Sequence, residues 1–217
     1  TSLSDAAAAA LAKRDGSLYV HHAKLPPSAS AILKYSRSKG VLTIAIARQW
    51  MADGYSLDLA QFTSIEVAAA EAVAKSEVDL LTLNGLTELS DAQAEALFKF
   101  QGSLELDGLT SLSDVQAEAL TKHVGTRKLG APLNALGHSL SLAGLAHLSD
   151  AQAAALAKFE GTLVLDGLTS LSDSAAESLA KHKDWLILSG LTSLSDAAAK
   201  ALAKHDGEVS VDHDRLP

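Results

Sequence analysis

The chain has 217 residues, 47% of them hydrophobic but only 4% aromatic, so its apolar content is mostly leucine and alanine. With 20% charged residues it is not a polar disordered chain, and no apolar run approaches the roughly 18–20 residues that span a bilayer. The absence of cysteine excludes disulfides and thiolate chemistry, and a net charge of −8 makes a poor electrostatic footprint for nucleic acid.

Taken in chain order, the sequence is a tandem array. Thr1-Ser-Leu-Ser-Asp5 reads as the opening of a helical segment and aligns with Thr192-Ser-Leu-Ser-Asp196. Val20-His21-His22-Ala-Lys-Leu-Pro26 follows and matches Val211-Asp212-His213-Asp-Arg-Leu-Pro217 near the other end. A short unit at 41–54 comes next, judged to lack room for a helix. Ser56-Leu-Asp-Leu-Ala-Gln-Phe62 is a weak copy of the strand segment, with Gln61 in place of glycine. From there the segment Leu-x-Leu-x-Gly-Leu recurs with its glycine at Gly85, Gly108, Gly144, Gly167 and Gly190, in steps of 23, 36, 23 and 23 residues. The long step holds a second short irregular unit at 126–138. About eight to nine units fill residues 1–217 as one repeat domain.

Each unit has two halves with different periods. In Leu104-Glu-Leu-Asp107 the apolar residues alternate, the mark of a strand with one buried face. Gly108 then suggests a turn that needs positive φ. Ser113-Asp114-Val115-Gln116 carries a capping serine, an acid near the positive helix end and a glutamine at capping-box spacing; Ser90/Gln93 and Ser149/Gln152 repeat it. A helix of about ten residues is expected, ending at Lys-His or Lys-Phe before a glycine. Ala8, Ala70, Ala94, Ala117, Ala153, Ala176 and Ala199 form a column small enough for helices to lie close to the strands. No lone unit can bury its apolar face, so the units must stack. The fold class is α/β: a single-domain repeat solenoid with a parallel sheet on one face and short α-helices on the other.

In its period and strand-plus-helix organisation the chain resembles the leucine-rich-repeat family, particularly bacterial forms with short outer helices. It lacks that family's buried asparagine ladder, since leucine fills the corresponding sites at Leu109, Leu145 and Leu168. The resemblance implies non-enzymatic recognition, usually of proteins, on the face carrying the strands.

Alternation assigns the residues on that open face. Most rows are small or polar, such as Ser103, Glu105 and Asp107 or Ser139, Ser141 and Ala143. Val164 and Asp166 are followed one unit on by Trp185, Ile187 and Ser189, and then by Glu208, Ser210 and Asp212. An apolar group centred on Trp185 and rimmed by carboxylates resembles an interface anchor. Val164, Asp166, Trp185, Ile187, Ser189 and Asp212 are therefore the expected binding residues. Arg48, Trp50, Met51, Arg127 and Lys128 are secondary contact candidates on the short units.

The acidic residues have no EF-hand or nonapeptide spacing, so no metal site is assigned and a solvated acidic face is expected. His123, His182 and His205 share a column that also accepts Arg14, Phe100 and Phe159, which marks a helix end rather than a ligand set. His22 and His213 lie near opposite ends of the array and meet only across a junction between molecules. No nucleophile elbow, Walker loop, dinucleotide fingerprint or metalloprotease motif is present, so neither enzymatic activity nor a cofactor is expected. The expected partner is a protein or another copy of the chain, the latter through Thr1, Leu3, His213, Leu216 and Pro217 stacking head-to-tail into filaments. The composition suits an extracellular or cell-envelope protein.

Overall fold

A computed structural model describes residues 40–120 and 138–215 of the chain. The described chain opens with strand β1 (Val41–Leu42) and helix α1 (Ile44–Ala52). The Thr43 hydroxyl caps α1 by accepting from the Ile46 N–H, and Ile46, Ala47 and Trp50 put one helical face in the core. This corrects the reading of 41–54 as too short for a helix. The segment is the helical half of a unit, with threonine as cap where later units use serine.

Strand β2 (Ser64–Ile65) pairs parallel with β1, Val41 opposite Ser64 and Leu42 opposite Ile65. A 3-10 turn, Leu59–Gln61, stands where later units have the Leu-x-Gly segment that follows their strand, and helix α2 (Val67–Val73) comes after it. The regular alternation then begins: β3 (Leu80–Thr82), α3 (Asp91–Leu97), β4 (Ser103–Glu105), α4 (Asp114–Leu120), β5 (Ser139–Ser141) and α5 (Asp150–Leu156). It continues through β6 (Thr162–Val164), α6 (Asp173–Leu179), β7 (Leu186–Ile187), α7 (Asp196–Leu202) and β8 (Val209–Ser210), and closes on a second 3-10 turn, His213–Arg215.

Strands β3 to β8 form one six-stranded parallel sheet in chain order. Leu81 pairs with Leu104, Leu104 with Leu140, Leu140 with Leu163, Leu163 with Leu186, and Leu186 with Val209. Four of these steps are 23 residues and the second is 36, so thirteen extra residues enter the array without changing which leucines meet. The molecule is an open α/β repeat solenoid, each coil supplying one strand and one helix.

Its core is laid down in columns. Leu83, Leu106, Leu142, Leu165 and Leu188 are all 0% exposed, as are Ala94, Ala117, Ala153 and Ala176 on the facing helices. Each such leucine contributes roughly 2 kcal/mol of burial. Ala199 occupies the same column on α7, which no described helix follows, and it is exposed.

The helices from α2 to α7 are seven residues long, shorter than the expected ten. Helices α3, α5, α6 and α7 each tighten into an i→i+3 bond, as where the Phe100 N–H reaches the Leu97 carbonyl, and a ring follows at once. Phe100 and Phe159 are 0% and 2% exposed.

Candidate functional site

Three lateral ladders run across the coils and engage polar groups of neighbouring coils with one another. The first is the glycine column. None of the five repeat glycines has positive φ; among the described glycines only Gly40, Gly54 and Gly161 do. The expected reason for their presence is therefore corrected. A Cβ on Gly108 would lie 2.2 Å from the Asn84 carbonyl oxygen, and one on Gly144 2.1 Å from that of Asp107. Glycine is required because each turn rests directly on the backbone of the coil before it.

The second ladder lies one residue earlier. Asn84 Oδ1 accepts the Asp107 N–H at 2.9 Å, Asp107 Oδ1 accepts the Ala143 N–H at 3.1 Å, and Asp166 Oδ1 accepts the Ser189 N–H at 2.8 Å. The family-like asparagine site is leucine, yet an amide-capping ladder exists at a neighbouring position. Asp107 and Asp166 are half-buried and engaged between coils, whereas the sequence placed them simply as outward carboxylates. Period alone assigns them to a face; their reach to the next coil's amide is a tertiary fact.

The third ladder joins the helix starts. The hydroxyls of Ser113, Ser149, Ser172 and Ser195 each donate to the first-turn aspartate of the preceding helix: Asp91, Asp114, Asp150 and Asp173. Gln93, Gln116 and Gln152 add a reach from N3 to the carbonyls of Ile65, Leu89 and Leu112. Alanine replaces this glutamine at Ala175 and Ala198.

Against this frame the open face can be placed. Val164 lies opposite Ile187 in the register of β6 and β7, and Trp185 immediately precedes β7 on the same face as Ile187. All three are half-buried, and the Trp185 indole N–H is enclosed with no acceptor among the described residues. Ser189 is half-buried beside Asp166. Asp212 turns away from any ladder: Oδ1 accepts the Asp214 N–H at 3.1 Å and Oδ2 lies 3.7 Å from Arg215 Nε. The structure thus brings Val164, Trp185 and Ile187 together and sets Asp166 to one side.

Of the secondary contacts, Arg48 is exposed, Met51 is half-buried against the core and Trp50 is 5% exposed, so Trp50 is a core residue and not a contact. Of the end-to-end set, His213 is exposed on the last 3-10 turn. Thr1, Leu3, Leu216 and Pro217 lie outside the described residues, as do Ala8, Arg14, His22, His123, Arg127 and Lys128.

One feature was not legible in the sequence. A groove of about 800 Å³ opens against the C-terminal ends of α5 and α6, with Lys158, Lys181 and Lys183 interleaved with Glu160 and Asp184. Its charges alternate in sign and Asp184 is already bonded to the Gly161 N–H, so they do not converge on one ligand group. Among the described residues no three His, Asp or Glu side chains are grouped to hold a metal, and no helix is long and apolar enough to cross a membrane.

The fold and ladders define the class, an α/β repeat solenoid with stacked parallel coils. Comparison with protein-family models, curated proteins and solved structures finds no match to this chain.

Proposed function

We propose that the chain is a non-enzymatic binding scaffold of the leucine-rich-repeat type, which holds a protein partner on its strand face. One observation carries this reading: Val164, Trp185 and Ile187 occupy neighbouring positions of β6 and β7 as a partly exposed apolar group, in a face whose other rows are mostly small or polar apart from the exposed Leu80. Aromatic anchors of this kind dominate protein interfaces when a partner completes their burial. Asp166 lies to one side of the group and Glu208 precedes the neighbouring strand β8, which favours a partner with basic residues at its rim. The carboxylates tied into the ladder are pre-positioned, which lowers the entropy lost on binding.

The test is a double variant, Trp185→Ser with Ile187→Ser, compared with the parent chain for partner capture under equal loading. The reading predicts that a partner held by the parent is lost from the variant while the far-UV circular dichroism is unchanged. Retention of the same partner by a folded variant refutes it. A second reading, stacking of copies end to end, is favoured by the exposure of Ala199, whose counterparts on α3 to α6 are covered by the next helix. Sedimentation that stays monomeric at high concentration counts against stacking.

A further inference from the structure

The rings that plug the helix ends differ along the array. Phe100 and Phe159 fill the place in two coils, and His182 and His205 fill it in the last two. His182 is 1% exposed. Its Nε2–H donates to the Gly161 carbonyl at 2.9 Å, which leaves Nδ1 buried with no partner among the described residues. The His205 ring lies parallel to it, 6.0 Å away between centroids and 4° between planes. His205 Nε2–H donates in turn to the Asp184 carbonyl at 2.9 Å.

These bonds converge on a single turn, 182–185. Asp184 Oδ2 accepts the Gly161 N–H at 2.9 Å, and the Trp185 carbonyl accepts the Leu163 N–H at 2.9 Å. The turn that sets Trp185 on the strand face is thus pinned from both sides by the two imidazoles. The charged and titratable groups of the packed turns are Lys158 and Glu160 after α5, Lys181, Lys183 and Asp184 around the ring, and Lys204 and Asp206 beside His205. Burial disfavours a charged His182 and outweighs the Gly161 and Ala157 carbonyls and Asp184, which favour it; His205 also opposes it.

We propose that the His182–His205 stack is an acid-responsive latch: a neutral His182 ring, stacked on His205, pins the Trp185 turn, and its protonation releases the turn together with α7 and β8. The sign follows from burial. Because the fold holds the His182 imidazolium below the ordinary value of 6.5, the unfolded segment takes up the proton more readily than the folded one. The latch contributes fully above that value and weakens as pH falls through 6.5 toward the folded value. The Phe100 and Phe159 coils have no such group at this position, so the response is expected in the His182 and His205 coils and not in those two.

The inference stands whether or not the strand face binds a partner, and amide hydrogen exchange of the full chain tests it. Between pH 7.5 and 5.0, after correction for intrinsic rates, protection across 183–211 should fall roughly tenfold while that across 80–106 holds. His182→Phe, which places the ring used at 100 and 159, should abolish the fall. His205→Phe, which keeps a ring in the stack but removes the neighbouring imidazole and its bond to the Asp184 carbonyl, should reduce it. Flat protection in the parent chain, or an undiminished fall in both variants, overturns the latch.

Discussion

The coils built on α3 to α5 and those built on α6 and α7 share one backbone plan but are tied together differently. In the first group a glutamine at N3 closes a capping box and also reaches the preceding coil; Gln116 Oε1 accepts the Ser113 N–H at 2.9 Å and its Nε2 donates to the Leu89 carbonyl at 2.7 Å. In the second group alanine stands at that position, and the plugging rings are His182 and His205, where Phe100 and Phe159 follow α3 and α5. The leucine and glycine columns are the same in both. Shape complementarity therefore sets the architecture, while the strength and acid sensitivity of each joint are set by a few side chains between coils. In an array whose units touch only their neighbours, such local differences become differences in local stability.

Four changes separate these contributions. Gly144→Ala should be the most damaging, because its Cβ would meet backbone oxygens of both Asp107 and Leu109, atoms that no side-chain rotation can move. A loss of about 3 kcal/mol or more is expected from urea unfolding, and a loss under half that size would show that the coils are not in close contact there. Phe159→His should convert a hydrophobic joint into a titratable one, costing about 2 kcal/mol at pH 7.5. Repeating the measurement at pH 5.0 should give a larger loss; an equal one contradicts the role given to the histidines. Gln116→Ala removes two bonds between and within coils and should cost about 1–2 kcal/mol, read from the same unfolding curve. The reverse exchange, Ala175→Gln, should stabilise the α6 joint by about 0.5–1 kcal/mol if the new amide reaches the Leu148 carbonyl, the counterpart of those at Leu89 and Leu112. Slower exchange of the α6 amides would register the gain.

Much of this organisation was legible in the sequence, and what escaped has physical reasons. The period of 23 placed the strands, helices and glycines correctly, because a stacked array repeats the same demand at the same interval. It misassigned why Gly108 is glycine, since close approach of another coil leaves no local trace that distinguishes it from a turn requirement. It foresaw Val164 beside Ile187, where alternation and register suffice. It missed the helix in 41–54, where Thr43 replaces the serine-aspartate start, and so took the buried Trp50 for a surface residue. The Asn84–Asp107 ladder escaped because a polar residue on a strand face looks alike whether it meets water or the next coil's amide. The groove near Lys181 depends on how two helix ends are spaced, which no motif encodes.

The two tryptophans offer a direct test, since Trp50 lies in α1 and Trp185 beside β7. Single-tryptophan chains, Trp185→Phe and Trp50→Phe, report unfolding at each position by fluorescence in urea. A chain of neighbour-coupled coils with weaker C-terminal joints predicts that the Trp185 signal is lost at lower urea than the Trp50 signal, with the gap widening at pH 5.0. Coincident transitions at both pH values would mean a single cooperative globule and would contradict the coil-by-coil account.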